Sequence, residues 1–300
     1  MEYPQFSRLL SLIGECHQLS KFAVEPHCLL IKGESGVGKS TLIRRYVERY
    51  PRYRHRCGAR VPVFYSSLPA IATIKGVVAK LISDLGDPLA TRGSTVQQTN
   101  RFAHLMRECK VELLILDEFQ HLVDARSPKK LSNVADWLKS LINDTHIPVI
   151  LLGMPWCSDL LRQNPQLQRR FMATEELKAF SWGDTPSSQE EYRLFLATTD
   201  KQLPFGERSF LADREIAYRF YCATRGNVGA TMSIIRWACR LALFEGGTSC
   251  RDYLGRGFER QYGRALGEHM NPFYCSVDEL QTTLGSTPCS NRGLKGVLTT

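Results

Sequence analysis

Between Gly33 and Thr41 the chain reads GESGVGKST. Gly33, Gly38, Lys39 and Ser40 occupy the fixed positions of G-x-x-x-x-G-K-[ST], with an apolar run before them and a helical pattern after. That spacing suits one task. The glycines let the backbone curl, so that the N–H groups of Glu34, Ser35, Gly36, Val37 and their neighbours face a phosphate chain. The N-terminus of the helix opening at Lys39 adds its favourable dipole, with Thr41 in the first turn. Lys39 can reach the β- and γ-phosphates, and the Ser40 hydroxyl can bind magnesium. The implied ligands are ATP and Mg2+.

A second group of residues completes the chemistry. VELLILDE, residues 111–118, ends an apolar run in two acids. Asp117 stands where a carboxylate holds magnesium through water. Glu118 can orient or deprotonate an attacking water. Such a pair suits hydrolysis better than transfer to a small-molecule acceptor, which must exclude water. Phosphoryl transfer also needs positive charge on the γ-phosphate, and an arginine can supply it in trans. In ring or filament ATPases that arginine follows the fourth strand of the neighbouring subunit. NPQLQRRF, residues 164–171, occupies that place, and Arg170 is favoured over Arg169. The alternative is a surface pair packed over Phe171.

The elements that must position these residues are legible from periodicity. Apolar runs at 28–33, 61–68, 111–118 and 147–154 read as strands. Helical patterns fall between them, at KSTLIRRYVERY, TIKGVVAKLISDLG, TVQQTNRFAHLMRECK and SNVADWLKSLINDT, and SDLLRQNPQLQRRF reads as helical around a break at Pro165. Alternation of this kind predicts a parallel sheet with helices on both faces. The expected division is a helical lead-in over 1–26 and a nucleotide-binding α/β domain over 27–182. A small all-helical domain over 188–268 and a flexible tail over 271–300 follow.

Composition narrows the class. The 300 residues are 43% hydrophobic and 23% charged, ordinary for a globular chain. There is no apolar run of membrane-spanning length and no basic-then-apolar leader, so the expected location is the cytoplasm, without a membrane partner. Ten cysteines lie between Cys16 and Cys289 with no C-x-x-C pair or zinc spacing, and read as free thiols. The net charge of +9 fits a nucleic-acid partner. Arginines and tyrosines interleave over 44–60, RRYVERYPRYRHRCGAR, a composition equally suited to phosphate contact and to a solvated loop.

Taken together, LLIKGESGVGKST, VPVFYSSLPAIATIKGVVAKLISDLGDPL, LLILDEFQHLV, IPVILLGMP, PQLQRRF and TRGNVGATMSIIRWA resemble the TniB/TnsC family over residues 28–240. These are AAA+ ATPases that regulate DNA transposition. The resemblance implies a P-loop AAA+ sheet followed by a helical lid, and an ATP-dependent homo-oligomer, ring or helical filament, on duplex DNA. It implies partners too: a TniQ/TnsD-like target selector and a DDE transposase of TnsB/TniA-like type, with hydrolysis timing disassembly. Gly33 to Ser40, Asp117, Glu118 and Arg170 carry over as the nucleotide site.

Two positions depart from the wider AAA+ pattern. The end of the fourth strand, where many AAA+ proteins place a polar residue, reads Gly153-Met154. The position after GNV, an arginine in initiator-type relatives, is Gly229, with Arg225 ahead of the motif. Turnover is therefore expected to be slow until an oligomer or partner completes the site. DARSPKKLSN, residues 124–133, is basic and loop-like, making Arg126, Lys129 and Lys130 candidate DNA contacts, with Lys75 a weaker one. Gln120 and His121 are assigned local hydrogen bonding only. Competing readings are a replication-initiator or IstB-like loader, a secretion-associated ATPase, and a scaffold that binds ATP but barely hydrolyses it.

Overall fold

The computed structural model describes residues 3–56, 58–70, 72–123, 127–183, 186–263 and 271–280. The chain divides into two compact units. One comprises Gln5–Glu34 and Lys39–Leu177; the other comprises Met1–Pro4, Ser35–Gly38 and Lys178–Thr300.

The first unit is built on a five-stranded parallel sheet. Its strands are β1 (Cys28–Lys32), β4 (Val63–Ser67), β5 (Leu113–Asp117), β6 (Val149–Gly153) and β7 (Phe171–Glu176), in the order β4-β5-β6-β1-β7. Strands β5 and β6 are buried throughout, and β1 in all but its last residue, because helices cover both faces. Each aliphatic side chain buried this way contributes about 1.5–3 kcal/mol. The register pairs Lys32 with Gly153 and Ser67 with Asp117, which aligns the carboxyl ends where the chemistry-bearing turns leave the sheet. The covering helices include α2 (Lys39–Val47), α3 (Ile74–Asp84), α4 (Thr95–Glu108) and α5 (Pro128–Thr145). Their apolar stripes are the periodic positions of the sequence: Val77, Val78, Leu81 and Ile82 on α3, and Leu131, Val134, Leu138, Leu141 and Ile142 on α5. Thr73 caps α3, and Ser94 with Gln97 forms a capping box on α4.

Two elements depart from the sequence reading. The basic run contains a short antiparallel hairpin, β2 (Tyr53–His55) with β3 (Gly58–Arg60), rather than continuous helix and loop. SDLLRQNPQLQRRF, expected to be helical around a break at Pro165, is helical only as far as Gln168. Pro165–Gln168 makes a single turn, α7, after the short helix α6 (Ser158–Arg162), and Phe171 begins edge strand β7. Arg169 and Arg170 therefore sit at a helix–strand junction.

The lead-in is α1 (Pro4–Leu19), clustered with the sheet from Gln5 onward. It lies along edge strand β7, with Arg8 2.7 Å from Glu175 and Gln5 Nε2 donating to Glu176 O at 2.8 Å. His17 on α1 is fully buried. One tautomer satisfies its ring: Nε2–H donates to Glu112 Oε2 (3.1 Å), and the Tyr46 hydroxyl donates to Nδ1 (2.9 Å). Glu112 favours a charged ring, but burial outweighs it and lowers the pKa from 6.5. The unfolded chain therefore takes up a proton more readily than the folded one as pH falls through 6.5. Stability attributable to this site is complete above 6.5 and falls below it, by up to about 1.4 kcal/mol per pH unit. Denaturant midpoints measured between pH 7.5 and about 5 should fall more steeply for the native chain than for His17→Phe.

The second unit is helical: α8 (Pro186–Asp200), α9 (Arg214–Thr224), α10 (Val228–Glu245) and α11 (Leu254–Tyr262). A Cβ at Gly257 would lie 2.8 Å from Ile234 O, so glycine permits the close crossing of α11 on α10. Tyr192, Thr224 and Thr231 hydroxyls share a buried hydrogen-bond network. Residues 271–280 were expected to belong to a flexible tail. They are packed instead. Arg219 Nη1 donates to Pro272 O and Cys275 O, both at 2.6 Å, and the Phe273 ring meets Phe220 edge-on at 5.1 Å. Buried arginine and aromatic anchors outweigh the polar composition of this stretch. The rest of the expected tail, from 281, lies outside the described residues. Among the described residues no helix is long and apolar enough to cross a membrane.

Candidate nucleotide-binding site

The phosphate loop leaves β1 beside β6, with Gly33 N donating to Gly153 O at 3.1 Å. Gly36 and Gly38 have φ of 77° and 107°, a region that side chains disfavour, so the sharp curl depends on both glycines. Lys39 is 8% exposed. Its ammonium donates to Gly33 O at 2.6 Å and Glu34 O at 2.9 Å, and no carboxylate among the described residues lies within ion-pair distance. Burial lowers its pKa, while Glu118, Asp117 and Glu34 pull the other way. A buried cation held only by carbonyls is suited to receive an anion.

Asp117 is buried, and both its oxygens are engaged. Oδ2 accepts from the Ser40 hydroxyl at 2.8 Å and from the Tyr65 hydroxyl at 3.2 Å; Oδ1 accepts from Glu118 N at 2.8 Å. Burial, then the Asp117 charge, pushes the Tyr65 phenol up to about 12, so it remains a donor. Among the described residues no cluster of three His, Cys, Asp or Glu could hold a metal. Ser40 with Asp117 fits magnesium only as part of a nucleotide complex, in which phosphates and water complete the shell.

Glu118 has a left-handed backbone, φ 57° and ψ 34°. Lys110, His146, Phe210 and Arg225 also have positive φ; Lys110, His146 and Arg225 follow helix ends and Phe210 lies in a loop, whereas Glu118 stands directly at the end of a core strand. The turn aims its carboxylate away from the sheet, where the side chain is 41% exposed. Gln120 Nε2 donates to Glu118 Oε2, and His121 Nε2 lies 3.7 Å from the same oxygen. The local hydrogen bonding assigned to Gln120 and His121 thus ends on Glu118. The glycine closing β6 has a physical reason as well. A Cβ at Gly153 would lie 2.5 Å from Cys157 Sγ and 3.2 Å from Gln120 Oε1, so those side chains already fill that space.

Within the helical unit, which includes the loop tip Ser35–Gly38, Asn227 caps α10 and its Nδ2 donates to Ser35 O at 2.8 Å. Gly229 N donates to Gly36 O at 2.7 Å, and a Cβ at Gly229 would come 3.1 Å from Gly36 Cα. A residue with a side chain does not fit there without displacement, which accounts for the second departure. Sequence reasoning did not single out Tyr65 or Asn227. The only signal for either was a hydroxyl on the second core strand and an N-cap residue before α10.

The remaining candidates lie elsewhere in the sheet unit. Arg170, with a 19% exposed side chain, is 3.8 Å from Glu25, and Arg169 is exposed. Both line a cleft of about 470 Å³ with Glu25, Asp136, Lys139 and Gln166. Lys75 is in the first turn of α3, and Lys129 and Lys130 are in the first turn of α5; all three are exposed. Lys130 lines a second cleft, about 480 Å³, with Thr73, Ile74 and His121. Arg126 lies outside the described residues.

Comparison with known proteins follows this geometry. The family model described as "Bacterial TniB protein" matches residues 1–182. No curated protein matches the chain. Among solved structures, the chain is similar to Cdc6p from Pyrobaculum aerophilum, at 14% identity over 99% of this chain and 85% of that one, with a TM-score of 0.62. It is similar to the Aeropyrum pernix ORC2 protein in its ADPNP–ADP complexes, at 16% identity over 87% and 69%, TM-score 0.59. The Aeropyrum pernix ORC1 protein in complex with DNA is also similar, at 13% identity over 99% and 82%, TM-score 0.59. At these identities the likeness speaks for the AAA+ fold alone. The family match spans more than half of the sequence: the chain belongs to the TniB family and is an AAA+ ATPase.

Proposed function

We propose that this protein is an ATP-dependent, DNA-binding regulator of DNA transposition. It oligomerises on duplex target DNA and links a TniQ/TnsD-like target selector to a DDE transposase of the TnsB/TniA-like type. Hydrolysis times disassembly. The observation that carries this reading is the TniB family match over residues 1–182.

The site residues support it. A bound magnesium nucleotide would supply the phosphoryl group and the metal charge that neutralises it. Lys39, now donating to Gly33 O and Glu34 O, would bind its phosphate oxygens. Ser40 and Asp117 would hold the metal, with the Tyr65 hydroxyl orienting Asp117. Glu118, with Oε2 held by Gln120, offers Oε1 to an attacking water and accepts its proton. Arg170 acts on the nucleotide of a neighbouring protomer.

DNA contact is assigned to Lys75, Lys129 and Lys130. Cations in the first turn of a helix oppose its dipole, so these positions cost stability unless an anion offsets them. The initiator-type reading, a loader that remodels DNA, is the alternative favoured by the fold likeness to ORC and Cdc6 proteins.

Negative-stain imaging with a non-hydrolysable ATP analogue, with and without duplex DNA, tests the assembly. Rings or filaments that need both ligands are expected. Monomers under every condition would sink the regulator reading. Stimulation of ATP turnover at least about tenfold by a DDE transposase separates it from the loader, for which no such effect is expected.

A further inference from the structure

The arginine-rich run is only partly explained by the fold. From Arg44 to Arg60 there are seven arginines and a single acid, Glu48. Two of the arginines have structural partners that fix the hairpin. Arg52 Nη1 donates to Asp84 O, at the end of α3, at 2.9 Å, and its guanidinium lies 5.6 Å over the Phe64 ring. Arg60 Nη1 donates to Glu108 O, at the end of α4, at 3.0 Å. Each places a cation at a helix C-terminus, where the dipole favours it. Both ends of the β2–β3 ribbon are thereby tied to the sheet unit.

The ribbon between these anchors buries nothing. Tyr53, Arg54, His55, Gly58 and Ala59 are all exposed. A two-stranded hairpin without an apolar face has little stability of its own and adds nothing to a core. The register pairs Arg54 with Ala59, and His55 with Gly58. Arg54 lies on β2, and Arg56 lies in the turn that follows it, two residues on. Opposite Arg54 there is only a methyl group, so that face is open. Neither Arg54 nor Arg56 makes a side-chain hydrogen bond or ion pair among the described residues, and both are exposed.

We infer that the exposed β2–β3 hairpin, through Arg54 on its strand and Arg56 in its turn, is a second contact surface for the phosphate backbone of duplex DNA. This rests on the DNA-binding reading above. Guanidinium groups recognise phosphate oxygens bidentately, and a narrow ribbon with small residues opposite its arginines can approach a strand closely. The surface is distinct from Lys75, Lys129 and Lys130. Those open helices, whereas the hairpin is tied to the opposite, C-terminal ends of α3 and α4.

The test is fluorescence anisotropy with a labelled duplex of random sequence, with ATP analogue present, over a series of salt concentrations. The native chain is compared with Arg54→Ala/Arg56→Ala and with Arg54→Lys/Arg56→Lys. Two lost phosphate contacts should lower the slope of log K against log salt by about 2 and weaken binding about 10- to 100-fold at 0.1 M salt. The lysine variant should keep most of the slope. ATP turnover without DNA and the thermal midpoint should be unchanged in both. Unchanged affinity and slope in the alanine variant, with native binding intact, would overturn the hairpin assignment, and is what an acidic protein partner predicts. Failure of the native chain to bind duplex at any salt would instead remove the DNA-binding reading itself.

Discussion

Glu118→Gln should retain ATP binding and lose turnover by about 10²- to 10⁴-fold, the range for removing a positioned general base. The amide keeps the size of the side chain and can still pair with Gln120, so the variant should fold and bind nucleotide like the native chain. What it lacks is a basic Oε1. If hydrolysis is the disassembly timer, its DNA-bound assemblies should persist for hours where native ones decay. Single-turnover hydrolysis and light scattering after ATP is exhausted read the two effects separately. Turnover within about threefold of native would favour the nucleotide-gated scaffold and would remove Glu118 as base. The left-handed backbone offers an independent check. Holding a non-glycine residue there costs on the order of 1 kcal/mol, and Asn tolerates the conformation better than Glu. Glu118→Asn should therefore be inactive yet slightly more resistant to denaturant. Strain kept at this turn, and relieved by a substitution that abolishes activity, is the pattern of a residue held for chemistry rather than for folding.

The nucleotide loop and its carboxylates were legible because their constraints are local. Gly36 and Gly38 are needed by the backbone, and Asp117 and Glu118 terminate a fully buried apolar run, which marks its own end. The four core strands and α2 to α5 were legible for a similar reason: burial on both faces, or on one helical stripe, leaves a periodic record. Strand β7 left a weaker one. Phe171 alone is buried in FMATEE, and the contacts of α1 along this edge include the polar pair Arg8 with Glu175. The β2–β3 hairpin buries no residue and had no apolar signal at all. Residues 271–280 look like a tail by composition; Phe273 and the carbonyls that receive Arg219 hold them, and backbone carbonyls leave no trace in a sequence. The two departures at Gly153 and Gly229 were visible, but their reasons were not. Each glycine answers to side-chain or backbone packing that the motif does not show: Cys157, four residues on, and Gln120 in one case, and Gly36 in the other.

Arg170→Ala should bind ATP normally and lose about 10³-fold or more in the turnover of DNA-bound assemblies, the range for a missing arginine finger. The geometry is permissive. Arg170 follows the single turn α7 and precedes β7, and Arg170 O accepts from Cys28 N at 2.9 Å, so its backbone is fixed by the sheet. Its side chain meets Glu25 at 3.8 Å, but Glu25 is 67% exposed, and such pairs hold a guanidinium weakly. A stronger anion on a neighbouring protomer can take it. Arg169 is the more exposed of the two, and Arg169→Ala is expected to fall within about threefold of native. Loss of activity alone would not separate a trans role from a damaged fold, but mixing does. Combine Arg170→Ala chains, which keep Glu118, with Glu118→Gln chains, which keep Arg170. In random co-assemblies about one interface in four, one half times one half, pairs an intact arginine with an intact glutamate across protomers. Two inactive proteins should then recover about a quarter of native turnover, and only when DNA and nucleotide permit assembly. An arginine acting within its own chain gives no recovery at any ratio. That result would return Arg169 and Arg170 to a surface pair beside Phe171, and would leave the trans contact to be sought elsewhere on the protomer.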